Sequence, residues 1–243
     1  MKALYRLTHI LVFCCLFIPV LTIAAPIKAP YADPHYIKPG FFDVHVCHWP
    51  DRPLFFLTLF STRDYEHIRR IDVYTPDNVH IGQLDSSKFR LVRQKNKKDK
   101  RVFLKQFDIR PSYHDGWYRA IITMKDGTQY EALDYVILHQ LAIADQLNPA
   151  PGAEAIPLPD KLSWGKVPGA KHYQVFIRDL WKEKDIYTSE LLDKPELLLP
   201  KGLLKAGGYY AWRVHARDVN EHALLGDFNN GSLTSHVTFS IRN

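Results

Sequence analysis

The chain is short of cysteine: it has three among 243 residues, and Cys14 and Cys15 stand side by side inside the first apolar run, leaving Cys47 alone. Once that run is removed no intramolecular disulfide can form. Stability must then come from hydrophobic cores, for which the remaining length is sufficient. Long apolar runs are also lacking. The stretch Ile10 to Val20 is interrupted by Pro19 and falls short of the ~20 residues that span a bilayer. Catalytic signatures are missing too: there is no G-x-S-x-G elbow, no H-E-x-x-H and no P-loop, so hydrolytic or nucleotide chemistry has no local support. Acid pairs such as Asp108 with Asp115, or Asp179 with Asp185, stand in turn-like contexts that read as surface solvation.

The opening residues, MKALYRLTHILVFCCLFIPVLTIAAP, place Lys2 and Arg6 before the apolar run and small residues at Ala24 and Ala25 after it. This is the layout of a secretory signal peptide, with cleavage after Ala24, because cutting one residue later would leave Pro26 next to the scissile bond. Neither Cys14 nor Cys15 has the small-residue context of a lipid-anchored leader. The expectation is a periplasmic or secreted protein with no stable membrane insertion after the leader is lost. The leader takes Lys2 and Arg6 with it, so the formal charge falls from +6 to +4. A surplus that small favours solubility and gives little support to a dedicated nucleic-acid binder.

Period-two alternation between turn residues runs through most of the chain, and sustained helical periodicity is scarce. Pro53–Phe60, Arg70–Pro76, Val79–Leu84, Arg101–Ile109 and Trp117–Met124 read as strands, and Asp126-Gly127 is a favoured hairpin pair. Between Ala142 and Pro159 the composition shifts to Ala and Pro, which reads as a semi-rigid linker. The expected fold is therefore all-β, two tandem β-sandwich domains. Their expected layout is a leader over 1–24, an extension over 25–40, a first sandwich over 41–148, a proline-rich linker over 149–159 and a second sandwich over 160–243.

The second half carries a more specific pattern. Trp164 is followed by the Gly169-Ala170 turn and by Tyr173, Val175 and Ile177 in alternation; then come Leu204, Gly207 and Tyr210, with Trp212, Val214 and Ala216 alternating after them. On these residues the half resembles a fibronectin type III domain over nearly its whole length, in a form similar to those of bacterial exported proteins. The resemblance implies a sandwich with a tyrosine corner, in which Tyr210 buries its ring and bonds its hydroxyl to upstream backbone. Ala206 stands where the family usually has proline. In the first half, Asp115, Gly116 and Tyr118 ahead of Ala120 and Ile122 are similar to the tyrosine corner of immunoglobulin-like domains, with a tighter spacing. Neither resemblance assigns a function, since sandwiches host many roles.

Three patterns invite a functional reading. The stretch LVRQKNKKDKR places Lys95, Lys97, Lys98, Lys100 and Arg101 at the expected tip of a hairpin between Phe89–Val92 and Val102–Phe107. Such a tip either stays solvated and guards a sheet edge or docks electrostatically on an anionic surface. It lacks interleaved aromatics, which disfavours nucleic acid. FDVHVCHW offers His45, Cys47 and His48, but alternation turns His48 away from the other two and no further ligand pair is spaced for zinc. No metal or other cofactor is expected. Finally, inward Tyr173, Val175 and Ile177 leave Phe176 and Arg178 facing out, and inward Trp212, Val214 and Ala216 do the same for Arg213, His215 and Arg217. With strands side by side these rows form one basic face, with Trp181 at the adjoining turn and the loop Asp218–Gly231 placed to rim it. Arg pairs carboxylates or phosphates bidentately and Trp offers a platform for a sugar or protein; the plainer reading is a solvated sheet or an interdomain contact.

These features point to a non-catalytic exported binding or adhesion-type protein whose partner is a protein, a glycan or another envelope component. The alternatives are a glycan-active hydrolase with an accessory module and an architectural envelope subunit.

Overall fold

Alternating side chains bury one face of each strand and force strands to stack in layers, and the computed structural model shows such layers twice. It describes residues 25–28, 33–219 and 228–243; the expected leader over 1–24 and most of the expected rim loop, including His222, lie outside the described residues. The strands are β1 (Ile27–Lys28), β2 (Tyr36–Ile37), β3 (Gly40–His48), β4 (Phe55–Thr62), β5 (Ile68–Tyr74), β6 (His80–Gln83), β7 (Phe89–Val92), β8 (Lys100–Asp108), β9 (Gly116–Met124) and β10 (Gln129–Val136). There follow β11 (Ala153–Ile156), β12 (Lys161–Ser163), β13 (His172–Asp179), β14 (Lys184–Thr188), β15 (Glu196–Leu198), β16 (Tyr209–Arg217), β17 (Asn230–Leu233) and β18 (Val237–Ile241). Among the described residues there is no α-helix, only a 3-10 turn at Tyr65–His67.

In the first body, a sheet ordered β1-β10-β9-β5-β6 faces β3, β4, β8 and β7. The core between them is rich in phenylalanine: Phe42, Phe56, Phe60, Phe103 and Phe107 from one layer meet Ile71, Val73, Tyr118 and Ile122 from the other. Buried Tyr118 donates its hydroxyl hydrogen to the His114 carbonyl at 3.1 Å, four residues upstream. The two layers are also tied by a buried carboxylate, since Asp134 on β10 accepts from the Val44 amide on β3 at 2.7 Å and from His35 Nε2 at 3.0 Å. Asp33 holds the other ring nitrogen of His35 at 2.6 Å. Burial disfavours charge on this ring, but the hydrogen bonds and fields of Asp134 and Asp33 prevail and raise its pKa to about 9.

The second core is built from tryptophan and tyrosine. Trp164, Tyr173, Val175, Ile177, Leu204, Tyr210, Trp212, Val214 and Ala216 are all buried in it, so every residue read as inward on the fibronectin type III pattern points inward. β12 pairs with β15 in one layer, and β13 lies between β14 and β16 in the other. Tyr210 accepts a hydrogen bond from the Lys205 amide at 3.0 Å, which is the corner that the resemblance implies. Leu141 and Ala144 are buried in this same core, and residues of the proline-rich stretch form β11 against β18. The stretch is thus packed along the second body instead of crossing open solvent.

The arrangement that positions the candidate site is the division of the last strand. β16 pairs with β18 over Tyr209–Trp212 and with β17 over His215–Arg217. At the break, Thr234 keeps the ladder satisfied: its hydroxyl accepts from the Val214 amide at 3.0 Å and its own amide donates to the Val214 carbonyl at 2.9 Å. β17, on its other edge, pairs in parallel with β3, with Asn230 opposite Val46 and Ser232 opposite His48. An otherwise exposed edge of β3 is thereby covered, and layers from both bodies fuse into one sheet of 11 strands. Asn230 and Gly231, expected in a loop, are strand residues. The Asn230 side chain is buried and donates to Asp218 Oδ2 at 2.9 Å.

Candidate functional site

Because paired residues point to the same side of a sheet, one face can be followed across the junction. On β7 and β8, Arg90 stands beside Val102 and Val92 beside Lys100. Leu59 and Leu57 of β4 continue the row to Asp43 and His45 of β3, and Cys47 leads to Gly231 of β17. Gly231 faces Arg217, and Gln174 lies beyond beside His215. The basic row read on the second body, Arg90 and, from the basic stretch of the first, Lys100 therefore share one face of one sheet, while Arg101 lies on the other.

This face is concave. One depression of about 570 Å³ is floored by Phe41, Leu59 and Val102 and rimmed by Lys38, Arg63, Arg90 and Lys100. A second, of about 440 Å³, shares Leu59, Arg90 and Val102 with it and reaches Gln174, Leu191, His215 and Arg217 on the second body. Both volumes lie within the range usual for ligand sites. Arg90 thus sits where the two depressions meet.

Phe228 fills the junction. Its ring lies 3.8 Å from that of His45 and 4.9 Å edge-on from that of His215, with the Arg217 guanidinium 5.0 Å above it. Gly231 has no alternative here, because a Cβ would come within 2.5 Å of Phe228 and 2.6 Å of His215 Nε2. Arg217 Nε donates to His215 Nδ1 at 3.3 Å and Arg217 Nη2 to Gln174 Oε1 at 2.7 Å. A donor on Nδ1 requires the neutral ring. Burial, then the charges of Arg217, His45 and Arg213, hold the His215 pKa well below its usual value. His45 is buried with Nε2 2.6 Å from Asp43 Oδ2. Burial pushes the Cys47 thiol up to about 12, so it packs as a small apolar group against Phe55 and Phe228. Among the described residues, no three His, Cys, Asp or Glu side chains are grouped closely enough to hold a metal ion.

The residues singled out in the sequence are distributed unevenly along this face. Arg217 is 8% exposed and His215 is held at the junction, so both point away from the second core as read, and of the alternatives for this row they follow the interdomain contact and not the solvated sheet. Phe176 and Arg213 remain half-buried on the open part of the row, with the guanidinium 5.3 Å from the ring centre. Arg178 donates to Asp185 at 3.1 Å and to the Glu183 carbonyl at 2.6 Å. Trp181 is 71% exposed at the end of the row, with its ring 5.6 Å from that of Tyr209. On the first body, Lys95 and Lys97 are exposed at the hairpin tip. Lys100 and Arg101 are not at the tip, because β8 begins at Lys100 and pairs it with Val92. The Arg101 guanidinium lies over the rings of Tyr65, 3.9 Å away, and Phe89, 4.1 Å away. Lys98 pairs with Glu66 at 3.0 Å.

Sequence reading passed over Arg63, Arg90 and Phe228. Arg90 alternates with Val92 in the same short strand, a signal that becomes usable only when the register against Lys100 and Val102 is known.

No family model and no curated protein matches the chain. Solved structures do. The FN1–FN3 domains of chicken CNTN1 align over 87% of this chain and 69% of theirs, with 10% identity and a TM-score of 0.35. A cytokine receptor complex aligns over 82% of this chain and 96% of its own, with 13% identity and a TM-score of 0.30. The fold itself rests on the sheets and cores above.

Proposed function

We propose that the chain is an exported, non-catalytic binding protein whose ligand or partner lies in the concave face of the fused sheet. In this reading a leader over 1–24 directs export, and an immunoglobulin-like sandwich and a fibronectin type III-like sandwich follow as one binding unit. The observation that carries it is that a single depression is lined from both bodies, by Arg90 and Leu104 on one side and Gln174, Leu191 and Arg217 on the other. A surface assembled from two halves across a strand junction exists only when both are folded and joined, which gives the junction a purpose beyond covering an edge. Support for extracytoplasmic placement comes from the leader pattern, and no helix among the described residues is long and apolar enough to cross a membrane.

Affinity capture from a periplasmic or secreted fraction tests this reading. Immobilised protein is expected to retain a partner that Arg90→Glu loses and that Lys95→Glu keeps. Equal retention by all three proteins would remove the concave face from consideration. Steady breakdown of any member of a polysaccharide and peptide panel would instead favour a hydrolase.

A further inference from the structure

Resting on that reading, we propose that the concave face takes one monomeric long-chain fatty carboxylate, with its head group at Arg63, Arg90 and Lys100 and its hydrocarbon chain laid over Leu59 and Val102 toward Leu104 and Phe228. Charge complementarity is the first argument. Among the described residues, none of these three cations has a carboxylate within ion-pair reach, Arg63 donating to the neutral Gln94 side chain and the Lys98 carbonyl, whereas Arg93, Lys98, Arg119, Arg178 and Lys182 each have one. Asp64, the acid in the rim of this depression, is bound to His67. Lys100 is half-buried, and its pKa is lowered by that burial and by the charges of Arg63 and Arg90. A cation that is desolvated and crowded by like charge gains from an anion placed among the three.

The second argument is the shape of the groove and its floor. The cations close one end of a groove whose base is Phe41, Leu59 and Val102, and the shared residues Leu59, Arg90 and Val102 carry it into the second depression, lined by Leu57, Leu104 and Phe228. Beyond the cationic end Leu57, Leu104 and Phe228 give this base a hydrocarbon strip, with Leu104 left exposed and Gln174, His215 and Arg217 along its far side. A polyanion would need accessible positive charge repeated along its length, whereas the cation lining the far side, Arg217, is buried and bound to Gln174 and His215. A membrane surface would be met by the protruding Lys95 and Lys97, not by cations turned into a concavity. An anionic head with a single apolar chain matches both parts of the groove.

Titration calorimetry with decanoate, dodecanoate and tetradecanoate, each below its micellar range, tests the proposal. Affinity should rise by up to about fourfold for each added methylene, the factor that ~0.8 kcal/mol per buried CH₂ gives, and dodecyltrimethylammonium should not bind. Arg90→Glu and Lys100→Glu should weaken dodecanoate by at least tenfold, with Lys95→Glu as the unaffected control. Should the charge reversals perturb folding, Leu104→Trp supplies a second route, since bulk in the groove should weaken tetradecanoate far more than decanoate. Binding that ignores chain length, equal binding of the trimethylammonium compound, or sedimentation with anionic vesicles without dodecanoate binding would each overturn the proposal. If dodecanoate fails while Arg90→Glu still abolishes capture from the exported fraction, this inference falls and the binding reading stands.

Discussion

At the β13–β14 end of the fused sheet, Arg178 is bound to Asp185, and Lys182 to Asp179 at 2.6 Å. At the β7–β8 end, Arg63, Arg90 and Lys100 crowd together over an apolar floor with Asp64 committed to His67. The same residue types thus serve two purposes. The exposed Arg178–Asp185 pair contributes little to stability and the Lys182 pair neutralises a buried carboxylate, whereas the first body carries positive charge that its own side chains leave unneutralised. The contrast shows that counting basic residues says less about a binding site than asking which of them the fold has already satisfied.

The largest expected effect separates the two bodies themselves. Trp212 is fully buried at the centre of the second core, and Trp212→Ala is expected to cost ~3–5 kcal/mol. Since β17 carries that core's sheet onto β3, the loss should reach the first body, and urea unfolding followed by tryptophan fluorescence and by circular dichroism should shift together. Separate transitions would show that the two ends of the sheet are energetically independent.

Two histidines sharpen the comparison through pH. His35, raised to about 9 between Asp134 and Asp33, is more readily protonated in the folded chain than in the unfolded chain. Its contribution is complete below pH 6.5 and disappears as pH rises through 9, with an upper size of ~3 kcal/mol. His35→Gln should flatten stability over that window, as measured by denaturant midpoints at pH 6.5 and 9.5. His215 has the opposite sign: its pKa is depressed, so its contribution is present above pH 6.5 and is lost as pH falls below that value. Acid should therefore loosen the junction, while alkali loosens the His35 corner.

A smaller effect is expected from Gly231→Val. The new side chain would have to displace Phe228 or His215, and overpacking of this kind costs ~1–3 kcal/mol. If the junction assembles the concave face, the variant should also lose ligand capture while both cores remain folded.

How much of this could be read from the chain follows from the range of the interactions. Alternation is local, so the inward set from Trp164 to Ala216 and the pairing of His172–Asp179 with Tyr209–Arg217 were legible, and so was the tyrosine corner at Tyr210. The division of the last strand was not. Asn230–Leu233 reads NGSL, which has the composition of a turn, and it becomes a strand only because β3 and β16 supply partners on both edges. With that pairing hidden, the outward row of His215 and Arg217 could be read either as solvated or as an interdomain contact, and the groove beneath Arg90 could not be assembled. The contacts made by the segment leading into the proline-rich stretch were hidden for a related reason: Leu141 and Ala144 are ordinary in composition and acquire meaning only from the core that they enter.

The smallest expected effect returns to the paired end of the sheet. The Arg178 side chain is 38% exposed and Asp185 is 81% exposed, so their attraction is screened and Arg178→Ala should change stability by less than ~1 kcal/mol. It should leave binding unchanged as well, because Arg178 is already engaged by Asp185 and the Glu183 carbonyl. Arg213→Ala is the more demanding control on the same row, since its guanidinium rests near Phe176 and among the described residues has no carboxylate partner. If Arg178→Ala alone abolished capture, the paired end would be the binding surface, and the contrast between cations that a carboxylate neutralises and cations that none does would have to be reversed.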